Sequence, residues 1–175
     1  MQDSTALLSG DLHTRHPTAE DHGRVLAVLD QWWGDLGGAA GSRQRALLLP
    51  RLFFQHFTDS SYLVERSDGE LVAFLVGFLS QAQPEVAYVH FVGVDPALHR
   101  AGVARGLYIR FFEQMAARGA RHVRCITSPG NSASLAFHAR LGFAIDPSQT
   151  LVGGVAVQRD YDGPGLDRIA FTRSL

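Results

Sequence analysis

Residues 89–115, VHFVGVDPALHRAGVARGLYIRFFEQM, carry the strongest fold signal in the sequence. Its apolar start belongs to a strand predicted over 85–94, which stops at an Asp-Pro pair. A short basic loop then leads into the clearest helix of the chain, predicted over 102–118. Its apolar residues repeat every fourth position, the spacing of one helical face: Val103, Leu107, Phe111 and Met115. The segment therefore predicts a strand, a loop and a helix in immediate succession.

The loop between this strand and helix has the composition of an anion site. Ala101, Gly102 and Ala104 are small enough to let a ligand approach the backbone closely. The first turn of a helix adds unpaired N–H groups and the positive end of the helix dipole. A pyrophosphate is the ligand that suits such a site. The commoner nucleotide loops, GxxxxGK[ST] and a GxGxxG after a strand, are absent from the sequence.

The residues before this segment predict two helices and three strands. A strand over 11–16 precedes a helix that begins at Thr18 and ends near Gly34. A second helix, from Ser42 to Phe57, is expected to break at Pro50. Strands over 61–66 and 71–80 flank a Ser-Asp-Gly-Glu turn, a strong hairpin signal.

The residues after it predict a strand over 122–127 and a short helix over 131–141, with Asn131 as its N-cap. Further strands are expected over 143–145, 155–157 and 168–172. The order of elements is typical of a single mixed α/β domain over 11–175. Residues 1–10 are predicted to be a flexible N-terminus.

Composition narrows the classes of function. The chain has 175 residues, a formal net charge of -1 and one cysteine, Cys125, which is expected to be a small buried residue. The charge gives no reason to expect nucleic acid as a partner, and no apolar run approaches the roughly 20 residues of a membrane span. A cytoplasmic protein is expected. The histidines form no HExxH motif and have no cysteine partners, so no metal site is predicted.

Four motifs in order resemble the GNAT acetyltransferases. His99 to Ala104 resembles that superfamily's [Q/R]-x-x-G-x-[G/A] loop, and Asn131 to His138 resembles its N-x-x-A-x-x-x-Y helix. Leu141-Gly142-Phe143 corresponds to its L-G-F, and Arg15 to Asp21 to its first strand-to-helix junction. The sequence departs from the pattern at His99, where Gln or Arg is usual, and at His138, where many members carry Tyr.

The resemblance implies a GNAT fold: a central, twisted, mostly antiparallel sheet of six to seven strands, flanked by about four helices. A V-shaped opening between the strands at 86–94 and 122–128 would hold acetyl-CoA, the acyl donor. The implied donor-binding residues are Val92, Gly93, Val94, His99, Arg100, Ala101, Gly102, Val103, Ala104, Arg105, Asn131 and Phe137. Arg100 and Arg105 are the expected guanidinium partners of the phosphates.

The implied reaction is direct attack of a primary amine on the thioester. His90 is the candidate general base, because strand alternation puts it on the same face as Val92 and Val94. His138 is the candidate general acid for the departing thiolate, since imidazole can donate a proton near neutral pH. Half-buried packing is the alternative for both histidines.

The sequence leaves the acceptor open. A small-molecule amine is favoured, a protein or peptide amine is the alternative, and a non-catalytic acyl-CoA-binding sensor is the alternative from another class. Trp32 and Trp33 are expected in the core rather than in an acceptor pocket. Asp160 and Asp162 are expected in a solvated turn, with binding of a cationic substrate as the alternative. Apolar residues around 47–57 would allow a homodimer.

Overall fold

The computed structural model describes residues 11–33 and 38–175. The predicted flexible segment 1–10 and Gly34, near which the first helix was predicted to end, lie outside the described residues. The chain forms two compact units. The first contains the residues up to Phe78 and Phe91–Gln114, and the second contains Leu79–His90 and Met115–Leu175.

The described residues form nine strands and five α-helices. The strands are β1 (Leu12–Arg15), β2 (Tyr62–Arg66), β3 (Leu71–Leu79), β4 (Val86–Val94), β5 (His122–Thr127), β6 (Ala144–Ile145), β7 (Leu151–Val152), β8 (Val155–Ala156) and β9 (Ile169–Ser174). The helices are α1 (Asp21–Trp33), α2 (Gly38–Leu47), α3 (Phe53–His56), α4 (Val103–Ala117) and α5 (Ser132–Arg140), and short 3-10 turns cover Thr58–Ser60 and Pro96–Leu98.

Seven strands form one sheet in the order β1-β2-β3-β4-β5-β9-β6, and β7 and β8 form a separate hairpin. The pairs β1–β2, β2–β3, β5–β9 and β6–β9 are antiparallel, whereas β4 and β5 run parallel. This is the mostly antiparallel sheet of six to seven strands that the sequence predicted. The parallel pair joins Val86–Tyr88 to His122–Arg124, and the pairing ends there although β4 continues to Val94 and β5 to Thr127.

The core of the first unit is built from apolar residues of its helices and strands. Val25 and Leu29 lie one turn apart on α1, and both are buried against Leu63 and Phe74 of the sheet. Trp32 and Trp33 pack against the same cluster, where the sequence placed them. Their rings stand edge to face, with centroids 6.1 Å apart.

Pro50 interrupts the second predicted helix, as expected, because proline cannot donate the helical hydrogen bond. The result is two helices, α2 and α3, so the described residues contain five α-helices where about four were expected. The predicted start at Ser42 is wrong by four residues: α2 begins at Gly38. None of its residues is buried, so it carries no apolar periodicity from which its start could be read.

A charged cluster fastens β1 to α1 and β2. The Arg15 guanidinium donates to both carboxylate oxygens of Asp21, at 2.7 Å each, and to both of Glu65, at 2.8 Å each. Arg24 also bridges the two carboxylates. Asp21 and Glu65 are buried, and hydrogen bonds from Arg15 hold the pKa of each carboxyl below its ordinary value. Buried carboxylates that are paired in this way remain ionised at neutral pH.

In the second unit, His138 of α5 stacks on Phe171 of β9, which pairs with Cys125 of β5. Cys125 is buried in β5, as predicted, and burial raises the pKa of its thiol. The β7–β8 hairpin turns through Gly153 and Gly154, which both have positive φ angles. The sequence prediction contained β8 but not β7. No helix in the described part of the chain is long and apolar enough to cross a membrane.

Candidate active site

The loop predicted to hold the donor phosphates lies within the first unit, between β4 and α4. Asp95 caps the short turn after β4 by accepting a hydrogen bond from the Ala97 amide at 2.9 Å. The His99 ring folds back toward the strand, with Nε2 3.2 Å from the carbonyl oxygen of Val94. Arg100 has a φ of 68° and Gly102 a φ of 83°. Two left-handed residues within three positions turn the chain sharply into α4.

This turn presents the first amides of α4 to the loop. The Gly106 amide donates to the Gly102 carbonyl at 2.9 Å, so it is the first amide with a helical partner. The amides of Val103, Ala104 and Arg105 precede it and have no carbonyl one turn earlier in the helix. Arg100, Gly102 and Arg105 are exposed. Unpaired amides and two exposed guanidinium groups together form a site for an anion.

Gly93 lies in β4, directly against the aromatic side chains of Phe74 and Trp33. A Cβ atom built at this position would lie 2.8 Å from Cζ of Phe74 and 3.0 Å from Cη2 of Trp33. Real Cβ atoms do not approach that closely, so the aromatic side chains require glycine here. The backbone at Val92–Val94 is therefore held directly against the core of the first unit.

His90, the candidate base, belongs to β4 in the second unit. It is half-buried, and its neighbours Val89 and Phe91 lie on the opposite strand face. Tyr88 lies two residues earlier on the same face as His90, at the last paired position of the parallel strands. The structure thus confirms the strand position on which the prediction for His90 depends; the catalytic role stays a prediction.

Asn131 and Phe137 lie on or beside α5, also in the second unit. Asn131 caps the helix as predicted, because its side-chain oxygen accepts a hydrogen bond from the Ser134 amide at 3.0 Å. Phe137 packs edge to face on the His138 ring, with centroids 5.5 Å apart. Their contacts with a donor stay predictions.

His138, the candidate acid, is enclosed by aromatic rings. It stacks on Phe171, with centroids 4.7 Å apart and planes 15° apart, and Phe143 meets it edge on. Its Nδ1 lies 2.8 Å from the Ser134 carbonyl oxygen. A carbonyl oxygen only accepts hydrogen bonds, so Nδ1 carries the proton. Burial lowers the pKa of His138, so the ring is neutral near pH 7, and Nε2 then has no proton to give. This geometry supports a packing role better than the predicted acid role.

Two features were missed or only partly foreseen. Burial raises the pKa of Tyr88, and electrostatic interaction with Tyr161 raises it further. No sequence signal joins residues so far apart in the chain.

Asp160 and Asp162 both bind groups of their own loop: Asp160 accepts a hydrogen bond from the Gly165 amide at 2.6 Å, and Asp162 forms an ion pair with Arg168 at 2.6 Å. Within residues 11–33 and 38–175 no group of three or more metal-ligating side chains comes together.

Residues 21–143 match the Acetyltransferase (GNAT) family. The match covers more than half of the chain, and the chain therefore belongs to this family. The family assignment confirms the resemblance seen in the loop and helix motifs.

Two relatives of known activity are similar over part of the chain. One is a mycothiol acetyltransferase from Amycolatopsis mediterranei, 29% identical over 93 residues, which are 50% of this chain and 31% of the relative. The other is an L-2,4-diaminobutyric acid acetyltransferase from Nocardia farcinica, 30% identical over 77 residues, which are 44% of this chain and 40% of the relative. The matched region thus spans less than half the length of each.

Solved structures show the same fold over nearly the whole chain. A putative GNAT acetyltransferase from Desulfovibrio desulfuricans superposes with a TM-score of 0.70 at 16% identity, covering 93% of this chain and 98% of that one. A diaminobutyrate acetyltransferase from Paenibacillus lautus, solved with L-2,4-diaminobutyric acid and coenzyme A, superposes with a TM-score of 0.65 at 22% identity, covering 95% and 96%. At these identities the likeness establishes the GNAT fold.

Proposed function

We propose that this chain is an N-acetyltransferase that moves an acetyl group from acetyl-CoA to a primary amine of a small molecule. The observation that carries the proposal is the loop at 99–105. It combines two left-handed residues, the unpaired amides of α4 and two exposed arginines. Family membership adds the expectation that the anion bound there is the pyrophosphate of coenzyme A.

The loop residues fit this ligand. Nothing lies within 4 Å of a Cβ built on Gly102, so the space in front of the helix is open. The amides of Val103, Ala104 and Arg105 would donate to the pyrophosphate oxygens, and Arg100 and Arg105 would add charge-assisted hydrogen bonds. At exposed positions we expect each arginine to contribute about 1 kcal/mol, or roughly a fivefold change in the donor Kd.

The acyl donor supplies a thioester carbonyl that an amine can attack. A bond forms between the amine nitrogen and the carbonyl carbon, the carbon–sulfur bond breaks, and coenzyme A leaves as its thiol. The amine is mostly protonated in solution and must lose a proton before it attacks. We propose that His90 accepts this proton, directly or through water, an effect typically worth about 10²–10⁴-fold.

The departing sulfur takes up a proton, and His138 is the side chain that the sequence offers as its source. His138 keeps its Nδ1 proton on the Ser134 carbonyl, and its lowered pKa disfavours a second proton on Nε2. Water therefore fits this step better than His138. If His138→Phe preserves kcat, the role passes to water; if kcat falls at least tenfold while the donor Kd is unchanged, His138 is the acid.

The proposed acceptor class follows from the relatives. Both are named for small molecules, mycothiol and L-2,4-diaminobutyric acid, rather than for a protein or peptide. A peptide amine is the alternative acceptor and is tested in the same assay.

The experiment is release of free coenzyme A thiol from acetyl-CoA in the presence of a panel of small amines and of short peptides. Arg100→Gln and Arg105→Gln should each raise the KM for acetyl-CoA about fivefold. Arg110→Gln makes the same charge change two turns along α4 and should leave that KM unchanged. His90→Gln should lower kcat and change its pH profile. Binding of acetyl-CoA with no thiol release from any amine would instead identify the non-catalytic sensor.

A further inference from the structure

The sheet face that carries His90 also carries a cationic side chain of the neighbouring strand. Tyr88 and Arg124 are Cα partners at the last paired position of β4 and β5, so both side chains leave the sheet on one face. His90 follows Tyr88 by two residues and lies on the same face. The intervening residues Val89 and Val123 are buried on the other face, whereas these three are half-buried. We call the surface formed by Tyr88, His90 and Arg124 the His90 face.

Arg124 lies close to His90 on this face. Neighbouring strands are about 4.8 Å apart, and residues two apart on one strand are about 6.6 Å apart. The register of β4 and β5 therefore puts the Cα atoms of Arg124 and His90 about 8 Å from each other. Because both side chains leave the same face, one small molecule can contact both of them.

The Arg124 guanidinium has donors to spare. Its Nη2 donates to Oδ2 of Asp146 at 2.7 Å, and the Arg124 side chain is 41% exposed. Among the described residues this is the one hydrogen bond that Arg124 makes through its side chain. Arg15 of the same chain binds two carboxylates at once, those of Asp21 and Glu65. Arg124 can likewise bind a second carboxylate beside that of Asp146.

The acidic loop after β8 interacts with the His90 face, since Asp162 acts electrostatically on Tyr88. Its carboxylates already have partners: Asp162 pairs with Arg168, and Asp160 accepts a hydrogen bond from the Gly165 amide. A second ammonium group on the acceptor would therefore find no unpaired carboxylate among these residues. A carboxylate on the acceptor would find the spare donors of the guanidinium on the same face as His90.

We propose that Arg124 binds a carboxylate of the acceptor, so that the preferred acceptors are amino acids rather than amines without a carboxylate. The inference rests on the proposed function, because it takes His90 as the side chain that meets the amine. The competing role of Arg124 is an ion pair with Asp146 that only fastens β5 to the residue after β6.

The first measurement is kcat/KM from the release of coenzyme A thiol with paired acceptors. Each ω-amino acid from glycine to 6-aminohexanoate is compared with its carboxamide, which has nearly the same size but no negative charge. The best amino acid should exceed its amide by at least about tenfold, because a hydrogen bond between charged groups is worth more than one to a neutral amide. Equal kcat/KM values within every pair would overturn the inference.

The second measurement repeats the comparison in a matched pair of variants. Arg124→Gln and Asp146→Asn break the same ion pair, but only Arg124→Gln removes the guanidinium. Arg124→Gln should abolish the preference for the amino acid over its amide. Asp146→Asn should keep it, because the guanidinium remains and loses a competing carboxylate. The ratio of the two acceptors does not depend on how much of each variant is folded, so an equal loss of preference in both variants would refute the inference.

The third measurement needs no turnover. Methyl NMR signals of Thr172, the Cα partner of Arg124 on β9, and of Ile126 are followed with coenzyme A present. Titration with 4-aminobutyrate should give saturable shifts that 4-aminobutanamide does not give and that Arg124→Gln abolishes. No shift with 4-aminobutyrate, or equal shifts with both compounds, would contradict the proposed carboxylate site.

These measurements separate the inference from the proposed function on which it rests. Thiol release that does not distinguish amino acids from their amides leaves the transferase standing and overturns the role of Arg124. Saturable shifts with 4-aminobutyrate in a protein that does not bind acetyl-CoA support the carboxylate site and refute the transferase.

Discussion

Replacing Gly93 by alanine is expected to destabilise the protein through one steric conflict. The added methyl carbon would lie 2.8 Å from Cζ of Phe74, against an ordinary contact distance near 3.5–4.0 Å. Phe74 has no exposed surface, and its ring stacks between Trp32 and Phe91, at 6.1 and 5.8 Å, so it has little freedom to move away. Overpacking of this kind typically costs 1–3 kcal/mol, and we expect about 2 kcal/mol.

Urea unfolding measures the cost, with Gly23→Ala as the control. Gly23 lies within α1 with nothing within 4 Å of its built Cβ, so alanine there should stabilise the protein by up to about 1 kcal/mol. Phe74→Leu completes a double-mutant cycle, since a smaller side chain makes room for the new methyl. The double variant should be more stable than the sum of the single effects by about 1 kcal/mol. Additivity within about 0.5 kcal/mol, or a Gly93→Ala cost below that value, would refute the steric reasoning.

Three further predictions concern the charged cluster and α5. Arg15→Gln should lower the free energy of unfolding by about 2 kcal/mol, less than the 3–5 kcal/mol typical of a broken buried pair, because Arg24 still bridges the carboxylates. The folded-state pKa values of Asp21 and Glu65 are lowered, so the difference in unfolding free energy between variant and wild type should shrink as the pH falls below about 4. Burial lowers the folded-state pKa of His138, so the unfolding free energy of the wild type should fall by up to about 1 kcal/mol between pH 7.5 and 5.5. His138→Phe should lack this decrease, and an equal decrease in both proteins would contradict the prediction. Asn131→Ala should cost about 1 kcal/mol of stability and Asn131→Ser much less, because serine also caps helices; a rise in the KM for acetyl-CoA in both variants would add a donor contact to the capping role.

Long, periodic elements were predictable from the sequence. The bounds of β5 agree with the prediction, and those of α4 differ by one residue at each end. Their apolar spacing reports directly on the face that is buried. The break at Pro50 also followed from local chemistry. By contrast, the start of α2 was missed because that helix buries no residue, and the two-residue strand β7 was missed altogether.

The candidate site was predictable where it depends on the backbone and less so where it depends on distant side chains. The loop at 99–105 and the Asn131 cap are encoded by adjacent residues. The protonation of His138 depends on its burial against Phe171, more than thirty residues away, and the engagement of Asp162 depends on an ion pair with Arg168. The Arg15–Glu65 contact joins residues separated by 50 positions. Such contacts arise from tertiary packing, which the spacing of single motifs does not contain.

Calorimetric titration with acetyl-CoA, with ATP as the control ligand, is the decisive experiment for the proposed donor site. We expect saturable binding at one site, no comparable binding of ATP, and at least about tenfold weaker binding after Gly102→Glu. The space around Gly102 is open, and its positive φ makes the substitution cost only about 1–2 kcal/mol of stability, so the variant should still fold. If protein purified free of coenzyme A does not bind acetyl-CoA at millimolar concentration, the loop at 99–105 is an ordinary strand-to-helix connection and the transferase proposal is wrong.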